Sequence, residues 1–328
     1  MEQKKQEKLY EFTDSLKRRV LVPDTVKQAI PTGIGAQIML CTLCPEKMAS
    51  VANIEKSDEE TYRRAGMERI TRLPKTGEMY STHRRTMNSS MITKVDADII
   101  VDVGFHRDGL QSEIDTVQTT TKKSTFFIDA SLGRLPQAYR ELGKLLGCEN
   151  RAELLASYLE KLYVSIEEKR KKVDRSPRIL YAGNDLGLIE NNPTQNQVIA
   201  YLGGTPVDIQ HDKNDSTALQ KQEIDYIVFY NHDRFHRILH KQEPEYKQWS
   251  SIPAIQKGCY AVAPALYHSW IGNPLFSQMI GLPWLGYLIW PEAYDFDILG
   301  ITREFYELFF GYKMSDDEII KLLGYYRG

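Results

Sequence analysis

The sequence predicts an α/β protein with two Rossmann-like lobes, each built on a central parallel sheet, and one long backbone helix between them. Compact apolar runs alternate with helical patterns in both halves of the chain, and such runs suit strands buried on both faces of a parallel sheet. Between the halves, Leu155, Leu159, Leu162 and Ile166 recur at helical spacing within residues 150–173. At 1.5 Å per residue this segment forms a rod of roughly 36 Å, which predicts a stiff spine.

Length and composition fit this architecture. The 328 residues are enough for two cores, and the contents of 42% hydrophobic and 26% charged residues are typical of globular domains. A net charge of −2 offers no broad basic face, so we expect no nucleic-acid binding. No apolar run reaches the roughly 20 residues that span a bilayer. The charged first residues contain no signal peptide, so Met1 is either a native cytoplasmic start or the replacement of a leader.

The elements follow in order along the chain. In the first half, strands are predicted at residues 26–30, 48–52, 97–104 and 124–129, and helices at 37–44, 110–119 and 135–146. In the second half, strands are predicted at 178–183, 225–230 and 259–263, and helices at 195–202, 243–250 and 275–290. Asn150 with Glu153 has the spacing of a helix cap. In the tail, Gly311 closes one helix, and Ser315 with Glu318 caps the next.

These elements predict four regions. They are an N-terminal α/β lobe at 1–149, the connecting helix at 150–174, a C-terminal α/β lobe at 175–294, and C-terminal helices at 295–328 that pack back on the lobes.

Several short motifs occur in a characteristic order. Asp14 precedes an Arg-x-Val-x-Val-Pro-like strand, and the later motifs are Leu-Pro-x-x-Gly, Ala-Asp-Ile-Ile-Val, Leu-Gly-Gly-Thr-Pro and a Phe-Tyr…Ser-Asp-Asp-Glu tail, at residues 19–23, 73–77, 97–101, 202–206 and 305–318. Together they resemble the helical-backbone substrate-binding proteins of ABC importers, which take up siderophores, haem, cobalamin or molybdate. Residues 270–291 are most similar to the branch with molybdate- and tungstate-binding members.

The resemblance implies a non-enzymatic, monomeric binding protein without an intrinsic cofactor. It would hold a metal chelate or an oxyanion such as molybdate between the lobes and deliver it to an ABC permease, outside the cytoplasm if a leader was removed. Family members dock through one carboxylate per lobe, but the matching positions here are Ser90 and Thr217, with Asp215 two positions from the latter. Docking in the usual manner is therefore in question.

Candidate ligand-binding residues follow the predicted strands, because ligands bind at strand ends in open α/β sheets. Gly33 precedes a helix whose free N–H groups would favour an anion, although a tight turn without a ligand explains it equally. Arg84 lies in a loop rich in hydrogen-bonding groups and offers a fork for oxyanions, unless the loop is simply solvated. The remaining candidates are Tyr80, Thr82, His83, Phe105, Asn184, Asn192, His232, His268 and Trp270.

Three groups of residues have alternative interpretations. His232, His236 and His240 would share a helix face, either as a metal-binding ladder or as a solvated surface, and His232 and His268 are the candidate metal ligands. Trp270 either packs on a flat chelate or packs between the lobes. Cys41 and Cys44 are either buried structural thiols or residues with a metal, redox or disulfide role.

Two other functions remain open at this stage. A cytoplasmic chelatase-like protein or metallochaperone, handling a metal or tetrapyrrole, fits the absent leader and the histidine ladder. A scaffold protein would bind no ligand. The sequence contains no Gly-x-Ser-x-Gly, Walker-type or His-Glu-x-x-His motif that would indicate catalysis.

Overall fold

We describe the protein from a computed structural model that covers residues 8–56, 58–79, 88–182, 193–207, 223–230, 249–272 and 274–324. The chain forms two compact units. Unit 1 comprises Met1–Lys161 and Glu307–Tyr312, and unit 2 comprises Leu162–Tyr306 and Lys313–Gly328. The division therefore falls inside a long helix, and a short part of the tail belongs to unit 1. In the described residues, no helix is long and apolar enough to span a membrane.

Unit 1 contains a parallel sheet and a separate hairpin. The hairpin pairs strands β1 (Leu9–Thr13) and β2 (Arg19–Pro23). The sheet has the order β3-β4-β5, with all three strands parallel, and its strands are Ala29–Pro31, Ile99–Gly104 and Ser124–Asp129. The strand predicted at 48–52 is wrong: Met48 makes an isolated parallel bridge to Ala29 and Val51 makes another to Lys75, so the pairing partner changes before a continuous ladder can form.

Six described helices lie within unit 1, and a seventh, α7, begins there and continues into unit 2. In chain order, α1 to α7 are Ile34–Leu43, Glu59–Arg64, Glu68–Thr71, Ser89–Ile92, Leu110–Thr121, Leu135–Leu146 and Glu149–Arg170, with a 3-10 turn at Pro45–Lys47. Helices α6 and α7 approach each other closely at Gly143, since a Cβ atom there would lie 2.3 Å from the Ala152 Cβ. The long helix predicted at 150–173 is confirmed at 149–170. Asn150 does not cap it, because the helix already begins at Glu149, and the Glu153 side chain binds Arg140.

Unit 2 has a second parallel sheet of its own. Its order is β7-β6-β8-β9, and strands β6 to β9 are Arg178–Ala182, Thr205–Pro206, Tyr226–Phe229 and Tyr260–Val262. A small antiparallel hairpin follows, formed by β10 (Ala265–Leu266) and β11 (His268–Ser269). Two separate parallel sheets thus confirm the predicted α/β fold class.

The described helices of unit 2 and the tail are α8 to α13. Their bounds are Pro193–Leu202, Pro253–Gln256, Pro274–Phe276, Leu282–Ile289, Ile298–Phe310 and Asp316–Gly324. The predicted capping of α13 is confirmed, since the Glu318 carboxylate accepts from the Ser315 amide (2.8 Å) and the Glu318 amide donates back to the Ser315 hydroxyl (3.3 Å). Gly311 ends α12 with a φ of 66°. Of the helix predicted at 243–250, residues 243–248 lie outside the described residues.

The helix predicted at 275–290 is not one regular α-helix. A π-helical turn, Ser277–Gly281, separates α10 from α11. The absence of a side chain at Gly281 lets the Trp270 backbone pack directly against this turn, because a Cβ atom there would lie only 2.1 Å from the Trp270 carbonyl oxygen. The Ser277 hydroxyl also donates to the Ile271 carbonyl (2.7 Å). The irregular turn therefore accommodates the backbone that follows β11.

A buried ion pair holds the first hairpin to the main sheet of unit 1. The Asp14 carboxylate accepts from the Arg18 guanidinium (2.7 Å) and from the Phe127 amide in β5 (3.3 Å). Arg18 also donates to the Thr125 carbonyl (2.5 Å) and to the Asp115 carboxylate (2.7 Å). The Asp14 side chain is fully buried and that of Arg18 is 8% exposed. Removing Asp14 takes away the buried carboxylate partner of Arg18 and leaves only the largely exposed Asp115 carboxylate as its ion pair.

We therefore expect Asp14→Ala to lower the free energy of unfolding by about 3–5 kcal/mol. The matched control is Glu60→Ala, which removes a carboxylate that is 63% exposed and paired with Arg63. That exposed pair contributes less than about 1 kcal/mol. Urea unfolding followed by circular dichroism measures both values, and equal losses in the two variants would contradict the structural role of Asp14.

Candidate functional site

In each unit the parallel strands end at a common edge of the sheet, which we call the strand-end edge. In unit 1 this edge carries Gly33 after β3, Phe105 after β4 and Ser131 shortly after β5. In unit 2 it carries Tyr230 after β8 and Ala263 after β9. Ligands of open α/β sheets bind outside the carboxyl ends of the strands, so these two edges are the candidate sites.

Gly33 lies at the strand-end edge of unit 1 as the N-cap of α1. It is half-buried, its backbone is extended (φ −175°, ψ −176°), and no side chain caps the helix. Among the described residues beyond its chain neighbours, no atom lies within 4 Å of the position that a Cβ atom would take. The start of α1 is thus uncapped by side chains, and free first-turn N–H groups suit an anion.

A hydrogen bond fixes the chain before residues 80–87 to this edge. The Met79 amide donates to the Thr32 carbonyl (2.7 Å), and the Thr32 hydroxyl in turn donates to the buried Asp102 carboxylate of β4. After residues 80–87, the Asn88 amide donates to the Thr76 carbonyl (2.9 Å). The predicted ligands Tyr80, Thr82, His83 and Arg84 lie outside the described residues.

Phe105 offers an apolar surface at the same edge. Its side chain is 41% exposed, although the five residues of β4 before Gly104 are buried. The next residue, His106, is exposed and packs edge-on against Phe127, with the ring centroids 5.5 Å apart. An exposed aromatic ring at a strand end can pack against a flat or apolar part of a ligand.

His268 lies in β11 of unit 2 and is half-buried. Its ring packs edge-on against Phe276, with centroids 5.7 Å apart. Burial lowers the pKa of His268 to about 4 from its ordinary value of 6.5, because the charged imidazolium loses its hydration. The imidazole is therefore neutral at neutral pH, the form that can coordinate a metal ion or accept a hydrogen bond.

The expectation that Trp270 contacts a ligand is not supported. Its side chain is completely buried. The indole N–H donates to the Tyr306 hydroxyl (2.8 Å), and the ring packs edge-on against Trp284 at 6.3 Å. Trp270 therefore exposes no surface to a ligand, and it stabilises the interior of unit 2.

A polar group that the sequence analysis missed lies in unit 2. Gln195, in the first turn of α8, is buried, and its amide nitrogen donates to the carbonyls of Ile271 (3.0 Å) and Gly272 (3.1 Å). Gly272 also packs against the Tyr230 ring, since a Cβ atom there would lie 1.6 Å from it. Gln195 thus fixes the turn after β11 through its side chain. In the sequence, the only signal for this contact is a glutamine at the start of the helix predicted at 195–202.

The remaining predicted positions are the other polar ligand candidates and the two docking positions. Asn184, Asn192, His232, His236 and His240, and the docking position Thr217, lie outside the described residues. Ser90 is exposed in α4, and its hydroxyl donates to the Asn88 side chain (2.8 Å). Within the described part of the chain, no group of three or more His, Cys, Asp or Glu residues is arranged to hold a metal ion.

Cys41 and Cys44 lie at the end of α1 that is farthest from Gly33. Both are buried and neither is in a disulfide. Their CxxC spacing therefore belongs to the interior of unit 1 and does not contribute to the strand-end edge.

Solved structures with the same fold are solute-binding proteins. An ABC transporter solute binding protein from Sulfurospirillum deleyianum is similar over 96% of this chain and 99% of its own, with a TM-score of 0.77 and 17% identity. The molybdate periplasmic binding protein of Haemophilus influenzae, bound to molybdate, has a TM-score of 0.71 and 15% identity over 93% of this chain and 99% of its own. Helicobacter pylori CeuE in a Ni-His complex has a TM-score of 0.66 and 14% identity, over 96% and 99%.

These similarities establish the fold, which is that of periplasmic solute-binding proteins of ABC transporters. No protein-family model and no curated protein sequence matches the chain.

The depressed pKa of His268 predicts a specific loss of stability in acid. Between pH 6.5 and 4 the unfolded chain binds a proton at this residue that the folded chain does not, so the free energy of unfolding falls as the pH is lowered through this range. The loss is at most about 3 kcal/mol, and partial exposure of the ring reduces it.

The variant His268→Gln keeps a polar side chain but cannot titrate, so it should lose less stability than the unsubstituted protein between pH 6.5 and 4. Urea unfolding at several pH values, with a chelator present to exclude metal ions, measures the difference. Equal losses in the two proteins would show that His268 does not titrate with a depressed pKa.

Proposed function

We propose that this chain is the substrate-binding protein of an ABC importer, which captures a metal chelate or a small oxyanion and delivers it to a permease. The proposal rests on structural similarity over nearly the whole chain. The chain has two parallel-sheet units, and the division between them falls within one 22-residue helix. Its structure matches that of a solute-binding protein over 96% of this chain and 99% of the other.

The strand-end edge of unit 1 supplies groups that suit an anionic ligand. The uncapped start of α1 at Gly33 offers backbone N–H donors, and Phe105 offers an aromatic face. We assign Arg84 as the cationic anchor, with Tyr80, Thr82 and His83 as further hydrogen-bonding partners. The hydrogen bond of the Met79 amide to Thr32 at this edge supports that assignment, because Met79 directly precedes these residues in the sequence.

Unit 2 supplies ligands for a metal or for hydrogen bonds. His268, with its neutral imidazole, is the described candidate, and Asn184, Asn192 and His232 complete the proposed set. Affinity in such a site comes from a preformed polar and aromatic surface, so the function requires no catalytic step. The neighbours that bind molybdate and a Ni-His complex represent the two ligand classes proposed here.

The importer role implies work outside the cytoplasm and contact with a permease. Ser90 presents an exposed hydroxyl where importer proteins of this type carry a docking carboxylate. We propose that docking on unit 1 relies on other polar groups. The same neutral position favours a second candidate function, a cytoplasmic chelatase-like protein or metallochaperone for a metal or tetrapyrrole. Turnover of a tetrapyrrole with a metal ion would establish that alternative.

A thermal-shift screen tests the ligand class. Molybdate, tungstate, ferric siderophores, haem and cobalamin are added at increasing concentration, and a ligand at 100 times its Kd should stabilise the protein by about 2.7 kcal/mol. Arg84→Gln should then weaken binding of that ligand by about 10–100-fold, the value of a charge-assisted hydrogen bond. The matched control is Arg72→Gln, since the Arg72 side chain is 75% exposed in α3 and its pairing with Glu68 is local. Identical affinities for the two variants would refute the role of Arg84.

Gly33→Ala separates ligand contact from stability. The added methyl group meets no atom of the described residues within 4 Å, its chain neighbours aside, and needs no unusual backbone angle, so the free energy of unfolding should change by less than about 1 kcal/mol. If a ligand approaches the start of α1, the same methyl group should lower its affinity at least severalfold. Isothermal titration calorimetry provides the affinity, and an unchanged Kd would exclude close approach at Gly33.

A further inference from the structure

Two cysteines that are far apart in the sequence meet in unit 1. Cys44 is the C-cap residue of α1, and Cys148 lies just before α7. Each thiol is the largest influence on the pKa of the other, so the two side chains lie beside each other, and both cysteines are free. The CxxC spacing draws attention to Cys41 as the partner of Cys44, whereas the fold brings Cys148 to it.

The backbone around the two thiols is fixed from both sides. The Arg151 guanidinium donates to the Thr42 carbonyl from Nε and Nη2, each at 3.3 Å. The Lys47 ammonium donates to the Val26 carbonyl (2.8 Å) and to the Leu146 carbonyl. The end of α1 and the start of α7 are therefore held together immediately before and after the cysteine pair.

The two thiols differ in access and in acidity. Cys148 is half-buried, whereas Cys44 is 1% exposed. The neighbouring Cys44 thiol lowers the pKa of Cys148, and nearby Lys47 acts in the same direction, while burial, Glu46 and Glu149 oppose them. Cys148 is thus the accessible group with thiolate character, and thiolates are the nucleophiles of disulfide exchange.

Cys41 is a different kind of thiol. It is 1% exposed, its sulfur contacts the Met48 sulfur at 3.4 Å, and burial raises its pKa to about 12. A thiol that remains protonated in the interior is inert in exchange reactions. Cys41 therefore provides an internal comparison for the reactivity of the pair.

We propose that Cys44 and Cys148 form a reversible disulfide that joins the end of α1 covalently to the start of α7. The oxidant is a small-molecule disulfide, RSSR. The Cys148 thiolate attacks one sulfur of RSSR, breaks its S–S bond and releases RS⁻. Cys44 gives up its proton, and its thiolate attacks the Cys148 sulfur of the mixed disulfide, releasing the second RS⁻. The two cysteines lose two electrons and two protons, and RSSR becomes two RSH.

The bridge would enclose most of unit 1, including β4, β5 and α2 to α6. Closing a loop of this length restricts the unfolded chain, so oxidation stabilises unit 1. Secreted proteins retain such bonds, whereas the cytoplasm reduces them. The inference rests on contacts within unit 1 alone, so it holds or fails separately from the proposed importer function.

Oxidised glutathione provides the probe. The full chain is incubated with it, free thiols are alkylated, and the digest is analysed by mass spectrometry with and without reduction. We expect a peptide pair linked through Cys44 and Cys148, lighter than the reduced pair by two hydrogen atoms. The melting temperature should rise by about 5–10 °C and return after addition of dithiothreitol.

Variants make the result specific. Cys148→Ser should abolish both the linked peptide and the oxidative rise in melting temperature, and because Cys148 is half-buried the variant should fold. Cys44→Ser should also prevent the link and leave glutathione on Cys148. Cys41→Ser and Cys259→Ser, the controls, should retain both effects. A link between Cys41 and Cys44, full alkylation of Cys44 and Cys148 in the folded oxidised protein, or persistent glutathione on Cys148 of the unsubstituted chain would overturn the proposal.

Discussion

In each compact unit the strands of the main sheet run parallel, so every connection must return the chain to the edge at which the previous strand began. The segments that leave the strands therefore gather at the opposite edge. In unit 1 this brings Gly33, Phe105 and Met79, which donates to Thr32, to one side of the sheet. The candidate ligand groups are thus neighbours because of the strand direction, although they are widely separated in the sequence.

Buried polar groups keep these edges in place. Asp14 with Arg18 attaches the first hairpin to β5, and Thr32 donates to Asp102 directly before Gly33. In unit 2, Gln195 donates to two successive carbonyls after β11. Such groups are costly to bury without partners. Their hydrogen bonds therefore select one backbone conformation at each turn, although the buried side-chain oxygen of Gln195 has no partner among the described residues.

The sequence predicted the elements that depend on local pattern. Helix α6 and strand β5 have the predicted bounds, because Gly147 ends the first with a φ of 67° and a compact apolar run defines the second. Features that depend on distant partners were missed or misassigned. Trp270 was expected to contact a ligand or to pack between the lobes, whereas it is buried and donates to Tyr306. Cys41 and Cys44 are buried thiols, one of the two expected alternatives, but nothing in the sequence indicated that Cys148 lies beside Cys44. Spacing along the chain carries no information about either partner.

The return of Glu307–Tyr312 to unit 1 has a consequence for the order in which the protein matures. Phe309 packs edge-on against Tyr139 and Tyr158, and Arg151 donates to the Leu308 carbonyl. These contacts are missing until the ribosome has released almost the whole chain. A nascent polypeptide that has emerged only as far as Lys161 therefore lacks part of the interior of its first unit. Vectorial synthesis thus delays completion of that unit until its last contacts have left the ribosome.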